Sequence, residues 1–125
     1  MKVADTSFLV AFFDADDSRH AAARDELAKA DTVRVPTEIL VETLAVIKHK
    51  ADLAAARKAA AALMAIPQIQ WQESCDLPAA YAIYREEKRL SLPDAIVVHS
   101  CLQAKAACLT FDERQAQAIK QRSGR

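Results

Sequence analysis

The sequence predicts an α/β fold in three layers, α/β/α, around a short parallel sheet of four or five strands. Three observations carry this. Short apolar segments alternate with helical stretches of about ten residues or more, and crossovers of that length join parallel strands. The 125 residues include a single glycine, Gly124, and abundant alanine, which favours helices with short connections over an all-β barrel or sandwich. The apolar fraction is 52%, enough for one hydrophobic core and too high for a disordered chain. A single domain over residues 1–125 is expected, with a frayed polar tail from about residue 120.

The elements follow in order. Val3 and Ala4 make a short buried strand, and Ser7 to Phe13 is an apolar helix more suited to core than to surface. Asp14-Ala15-Asp16-Asp17-Ser18 is a polar break with good helix-capping residues, and His20 to Lys29 is the helix after it. Thr32-Val33-Arg34-Val35 alternates as a strand does. Pro36 stands at a favoured first-turn position, so a helix is expected from there to about His49. Asp52 to Met64 is Ala-rich and helical, Pro67 ends it, and Ile69 with Trp71 marks a third strand. Helices are expected over Pro78 to Arg89, Pro93 to Lys105 and Glu113 to Gln121, with a fourth strand at Ala107 to Leu109.

Several function classes are disfavoured at once. Seventeen basic and seventeen acidic side chains cancel, so any basic footprint for nucleic acid must be local. A chain whose only glycine is residue 124 has no phosphate-binding glycine loop. The early Asp5 interrupts any signal-peptide core, and no apolar run is long enough to span a bilayer, so a cytoplasmic protein without membrane contact is expected. Cys75, Cys101 and Cys108 are odd in number, lack a Cys-x-x-Cys spacing, and read as reduced thiols. His20, His49 and His99 are far apart along the chain, and their spacing does not suggest a catalytic triad.

Four acids stand out because of where they fall. Asp5 ends the first strand and Asp112 follows the fourth, and in a parallel sheet ligands bind beyond the carboxyl ends of strands. Glu42 borders the buried face of its helix, beside Ile39 and Val46, while Glu38, the reserve candidate, lies farther into the solvent side. Asp94 follows Pro93 in the first turn of a helix that is apolar around most of its circumference. Each has a bland role as well: Asp5 and Asp112 as helix caps, Asp94 within the capping box that Ser91 begins, Glu42 as a surface residue. If the fold brings them together, their repulsion calls for a cation, and an all-oxygen set suits Mg²⁺ or Mn²⁺.

Asp5-Thr6-Ser7-Phe8-Leu9, Glu42 within Thr37-Glu38-Ile39-Leu40-Val41-Glu42, Leu92-Pro93-Asp94-Ala95-Ile96 and Leu109-Thr110-Phe111-Asp112-Glu113 together resemble the motifs of the PIN-domain family, in order along almost the whole chain. They are most similar to the small VapC toxins of toxin–antitoxin pairs. The resemblance implies a PIN-like fold and a metal-dependent endoribonuclease. Asp5, Glu42, Asp94 and Asp112 would be its catalytic and metal-ligating quartet, and Ser7 and Thr110, with Thr6 beside them, would support the metal or its water. It also implies Mg²⁺ or Mn²⁺ as cofactor, an RNA substrate, a cognate antitoxin and a homodimer. One departure is plain: no apolar run follows Ile119 to supply the family's usual last strand.

Two basic groups could rim the acids. Arg85, Lys88 and Arg89 share a face if their helix runs to Arg89, and Lys48 belongs to a second group with Lys50, Arg57 and Lys58. A solvated face balanced by Glu86 and Glu87 is the plainer reading. Two functional alternatives stay open: a PIN-type nuclease for RNA processing outside any toxin–antitoxin pair, and a non-catalytic protein-binding module whose acids are only caps.

Overall fold

Four short strands form the centre of the molecule in a computed structural model that describes residues 1–124: β1 (Lys2–Ala4), β2 (Val33–Pro36), β3 (Ile69–Gln72) and β4 (Ala107–Leu109). Their order is β3-β2-β1-β4 and every pairing is parallel. Lys2 lies opposite Val33 on one side and Ala107 on the other, and Ala4 lies opposite Leu109. Val3, Ala4, Val33 and Val35 are fully buried, as expected of a parallel sheet covered on both faces. Among the described residues there is no fifth strand, so β4 is an edge.

Seven helices among the described residues cover the sheet: α1 (Thr6–Phe13), α2 (His20–Lys29), α3 (Thr37–Lys50), α4 (Leu53–Ala65), α5 (Leu77–Glu86), α6 (Leu92–Ala104) and α7 (Glu113–Ser123). Helix α6 packs on β1 and β4 with α5 and α7 against it, while α1 packs on α2 and α3, and α3 on α4. The main core joins Val3, Val33 and Val35 to Phe8, Leu9, Phe12, Leu27, Leu63 and Val97. Each large apolar side chain buried this way stabilises the fold by about 1.5–3 kcal/mol. A smaller core of Ile83, Leu90, Ala95, Val98 and Ala118 ties α5, α6 and α7 together.

The structure departs from the sequence expectations at three boundaries and one cap. Pro36 closes β2 opposite Gln72 with an extended ψ of 139°, and caps α3 from outside. Helix α5 stops at Glu86, three residues short, because Leu90 turns back into the smaller core and the Leu90 N–H bonds the Glu87 carbonyl. Helix α7 continues through the expected frayed tail to Ser123, and of that tail only Arg125 lies outside the described residues. Finally, no side chain of the Asp14–Ser18 break caps α2. Asp17 instead accepts from the Arg19 backbone N–H at 2.8 Å.

Candidate active site

The order β3-β2-β1-β4 reverses direction between β1 and β4, and at such a point the crossovers leave in opposite directions and open a crevice beyond the strands. A cleft of about 300 Å³ lies there. Asp5, Thr6, Ser7, Glu42, Asp94 and Asp112 all line it, together with Asp17, Arg19 and Lys50. The fold therefore brings the four predicted acids to one cleft from β1, α3, α6 and the β4–α7 junction. Glu38 is not on its wall; it faces the Cys75 thiol.

Asp5 is the deepest member, with 2% of its surface exposed. It sits one residue past β1, and its own N–H bonds the Leu109 carbonyl of β4 at 3.1 Å. Its Oδ1 accepts from the Phe8 N–H at 2.9 Å, which caps α1, and from Ser7 Oγ at 2.8 Å. Its Oδ2 accepts from the Thr110 hydroxyl. The Ser7 proton is thus committed to Asp5, and Ser7 Oγ in turn accepts from the Phe111 N–H at 2.9 Å. Thr110 Oγ1 likewise accepts from the Asp112 N–H at 2.9 Å. The two hydroxyls tie the carboxyl ends of β1 and β4 into one network.

Burial raises the Asp5 carboxyl above the ordinary carboxylate range, and repulsion from Asp94 adds to it, while the three donors pull it down. Helix capping alone gives no reason to bury the carboxylate so deeply beside a second one, since desolvation opposes its charge. A carboxylate perturbed by burial and by a neighbouring charge in a cleft is a candidate functional group.

The other acids keep bland roles as well. Asp94 Oδ2 accepts from the Ser91 N–H at 3.1 Å, and its own N–H donates to Ser91 Oγ at 3.2 Å, completing the capping box of α6. Beneath it the fully buried Gln115 reaches the Asp94 carbonyl through Nε2 at a long 3.5 Å, a contact from α7 with no counterpart in the sequence pattern. Asp112 caps α7 and is gripped by Arg114, which donates Nε to Oδ1 at 3.2 Å and Nη2 to Oδ2 at 3.0 Å. That arginine holds the Asp112 carboxyl below its ordinary value. Glu42 Oε1 accepts from the Thr6 hydroxyl.

The donor chemistry fits a hard divalent cation: Asp5, Glu42, Asp94 and Asp112, with the Thr6 and Ser7 hydroxyls beside them, offer only oxygen. Asp94 Oδ1 and Glu42 Oε2 have no hydrogen-bond partner among the described residues. As the side chains stand, however, no three acidic, His or Cys groups among the described residues converge closely enough to hold an ion. Asp112 is the least available, since both its oxygens are engaged by Arg114. Cys108 does not line this cleft, and its hydrogen bond with Cys101 and burial drive its thiol far above the ordinary range.

The predicted basic rim does not line this cleft. Lys88 and Arg89 lie in the turn after α5, so they share no helix face with Arg85, whose guanidinium lies 5.9 Å from the Tyr81 ring. On α3 the cleft-facing row is Glu42, Val46 and Lys50, four residues apart, and Lys48 is off that row. The cations at the cleft are Arg19 and Lys50. Lys50 was legible from the same helical spacing as Glu42. Arg19 carried no signal, because its place depends on how the α1–α2 turn packs.

The PIN domain family model matches residues 2–120. The fold is similar to the crystal structure of VapC20 of Mycobacterium tuberculosis, described as a sarcin-ricin loop cleaving toxin, with a TM-score of 0.80 and 23% identity over 94% of this chain and 95% of that one. It is also similar to the crystal structure of PAE2754 from Pyrobaculum aerophilum, with a TM-score of 0.74 and 17% identity over 95% of this chain and 84% of that one. No match was found among the curated proteins.

Proposed function

Since the chain belongs to the PIN domain family, we propose that it is a divalent-metal-dependent endoribonuclease acting at the Asp5 cleft, and the toxin of a VapBC-type pair. The observation that carries this is Asp5 itself, 2% exposed at the end of a central strand, with its carboxyl raised by burial and by Asp94. We also propose a single domain over residues 1–125.

Asp5, Asp94 and Glu42 would hold Mg²⁺ or Mn²⁺, with Asp112 contributing through water or after Arg114 lets go. When bound, the ion supplies a lowered pKa for a water, its orientation, and neutralisation of charge on the phosphate oxygens. The protein's own groups do the rest. Ser7 and Thr110 fix both oxygens of Asp5, so its direction is set before substrate arrives. Glu42, anchored at Oε1 by Thr6, has Oε2 free to accept the proton of the attacking water. Water oxygen bonds to phosphorus, the bond to the 3′ oxygen breaks, and a proton returns to that oxygen. The products are a 3′-hydroxyl and a 5′-phosphate.

An apolar groove between α1, α3 and α4, lined by Val10, Phe13, Ile47, Ala55 and Ala59, adjoins the cleft through Val10 and Lys50. It supports an antitoxin segment as the inhibitory partner. Exposed Val41, Leu77, Tyr81 and Tyr84 on α3 and α5 support a homodimer. No described helix is long and apolar enough to cross a membrane, and a cytoplasmic location is part of the same proposal.

The test is cleavage of labelled single-stranded RNA by purified, partner-free protein with Mg²⁺, Mn²⁺ or EDTA, beside Asp5→Asn. Cutting that needs metal and disappears in the variant supports the proposal. Equal background from both proteins in every condition contradicts it.

A further inference from the structure

Five carboxylates line one cleft, the four predicted acids and Asp17, and repel a polyanion, so an RNA backbone needs cations placed where it enters. The α5 group does not provide them. Arg19 stands on the cleft wall, and its placement is unusually determined for a surface arginine. Nε donates to Asp17 Oδ1 at 3.1 Å and Nη2 to Asp17 Oδ2 at 3.2 Å. Its guanidinium carbon lies 5.0 Å from the centroid of the Phe111 ring. Phe111 is itself set, stacked on buried Phe8 at 5.9 Å and bonded through its N–H to Ser7 Oγ, the hydroxyl that holds Asp5. The Asp17 side chain is 11% exposed and that of Arg19 46%, so the clamping carboxylate is covered while part of the arginine side chain reaches solvent.

A guanidinium carries five N–H donors, and the clamp uses two of them. The Nη1 pair has no partner among the described residues. An exposed ion pair contributes little to stability, so stability gives weak reason for this construction. The same construction occurs a second time at the cleft: Asp112 accepts from the Arg114 backbone N–H, Nε and Nη2 at 3.0, 3.2 and 3.0 Å. The Asp-x-Arg spacing makes this clamp in both loops, but the Asp112 copy engages one of the acids, whereas the Asp17 copy leaves the acids free.

We infer that Arg19 is the phosphate-gripping side chain of the cleft, presenting its free N–H fork to a backbone phosphate of single-stranded RNA, with Asp17 as its positioning residue. This rests on the RNA-cleaving reading of the cleft. Arginine suits the task because its planar fork matches two phosphate oxygens and its charge persists beside the acids. Lys50, held by Asp14 at 3.1 Å, is a second cation there, but a point charge on a flexible stem.

The test uses labelled single-stranded RNA titrated with Mg²⁺ into the Asp94→Asn protein, in which cutting should fall by more than about 100-fold, over a series of salt concentrations. The same background then carries Arg19→Ala, Arg19→Lys, Asp17→Asn or, as a charge control, the exposed Lys29→Ala on α2. Arg19→Ala should weaken binding roughly tenfold at low salt. It should also flatten the slope of log affinity against log salt by about 0.7. Arg19→Lys and Asp17→Asn should keep the slope and lose part of the affinity, and Lys29→Ala should change neither. Equal behaviour of Arg19→Ala and Lys29→Ala, or weakened binding at an unchanged slope in Arg19→Ala, overturns the assignment. If the wild-type protein cuts RNA and Arg19→Ala has no effect, only this inference falls; if the wild type neither binds nor cuts, the nuclease proposal falls with it.

Discussion

Replacing Asp94 by Asn separates a metal ligand from a helix cap, because the two roles depend on different atoms. Asn keeps an oxygen for the Ser91 N–H, now bonded at 3.1 Å, and leaves the Asp94 N–H to Ser91 Oγ bond at 3.2 Å untouched. What disappears is the negative charge. Its interaction with the α6 dipole stabilises by about 0.3–1 kcal/mol. Against this stands relief of the repulsion that helps raise the buried Asp5 carboxyl. The two effects oppose each other, so urea unfolding in EDTA should give a stability within about 1 kcal/mol of wild type. RNA cleavage with Mg²⁺ should fall by more than about 100-fold, since even partners of metal ligands cost 10–100-fold. Activity within a few-fold of wild type, coupled to a clear loss of stability, would sink the metal-ligand role and leave Asp94 a cap.

Three further outcomes follow from the same geometry. Thr110→Val removes a donor to Asp5 and the acceptor for the Asp112 N–H, and chemical denaturation should register a loss of about 1–3 kcal/mol, with cleavage lowered as Asp5 loses its orientation. Mn²⁺ should raise the melting temperature of wild type, by the equivalent of about 2.7 kcal/mol at a hundred times its Kd, and should leave Asp5→Asn unmoved; equal shifts in both proteins would place the ion elsewhere. Asp5 and Asp112 contribute to the pH dependence in EDTA with opposite sign. Asp5, raised in the folded state, penalises folding above its folded pKa, and that penalty vanishes as pH falls from there to the ordinary carboxylate value. Asp112, lowered by Arg114, contributes stability that is present above the ordinary value and is lost as pH falls through its folded pKa. Stability in EDTA should therefore rise slightly and then drop as acid is added, and Arg114→Ala should remove the Asp112 part of the drop when unfolding is followed against pH.

Much of this was legible because it depends on local pattern. Apolar periodicity placed the helices, Pro93 and Ser91 fixed the start of α6, and strand ends located Asp5 and Asp112. Glu42 followed from its position at the edge of an apolar stripe. What escaped depends on tertiary contacts. Glu87-Lys88-Arg89 has ordinary helix-forming residues, and only the burial of Leu90 ends α5 before them. That single packing event dissolved the expected basic face. Arg19 became visible only once Asp17 and Phe111 were seen to clamp it, and the grip of Arg114 on Asp112 only once the β4–α7 junction was in place.

The most direct measurement is the chemistry of the ends left when partner-free protein cuts single-stranded RNA with Mg²⁺ or Mn²⁺, read beside Asp5→Asn and EDTA. A water-driven reaction at the acids predicts 5′-phosphate and 3′-hydroxyl ends, formed only with metal and only by the wild type. Cyclic-phosphate ends, or the same products from Asp5→Asn, would mean that the cleft around Asp5 is not where RNA is cut.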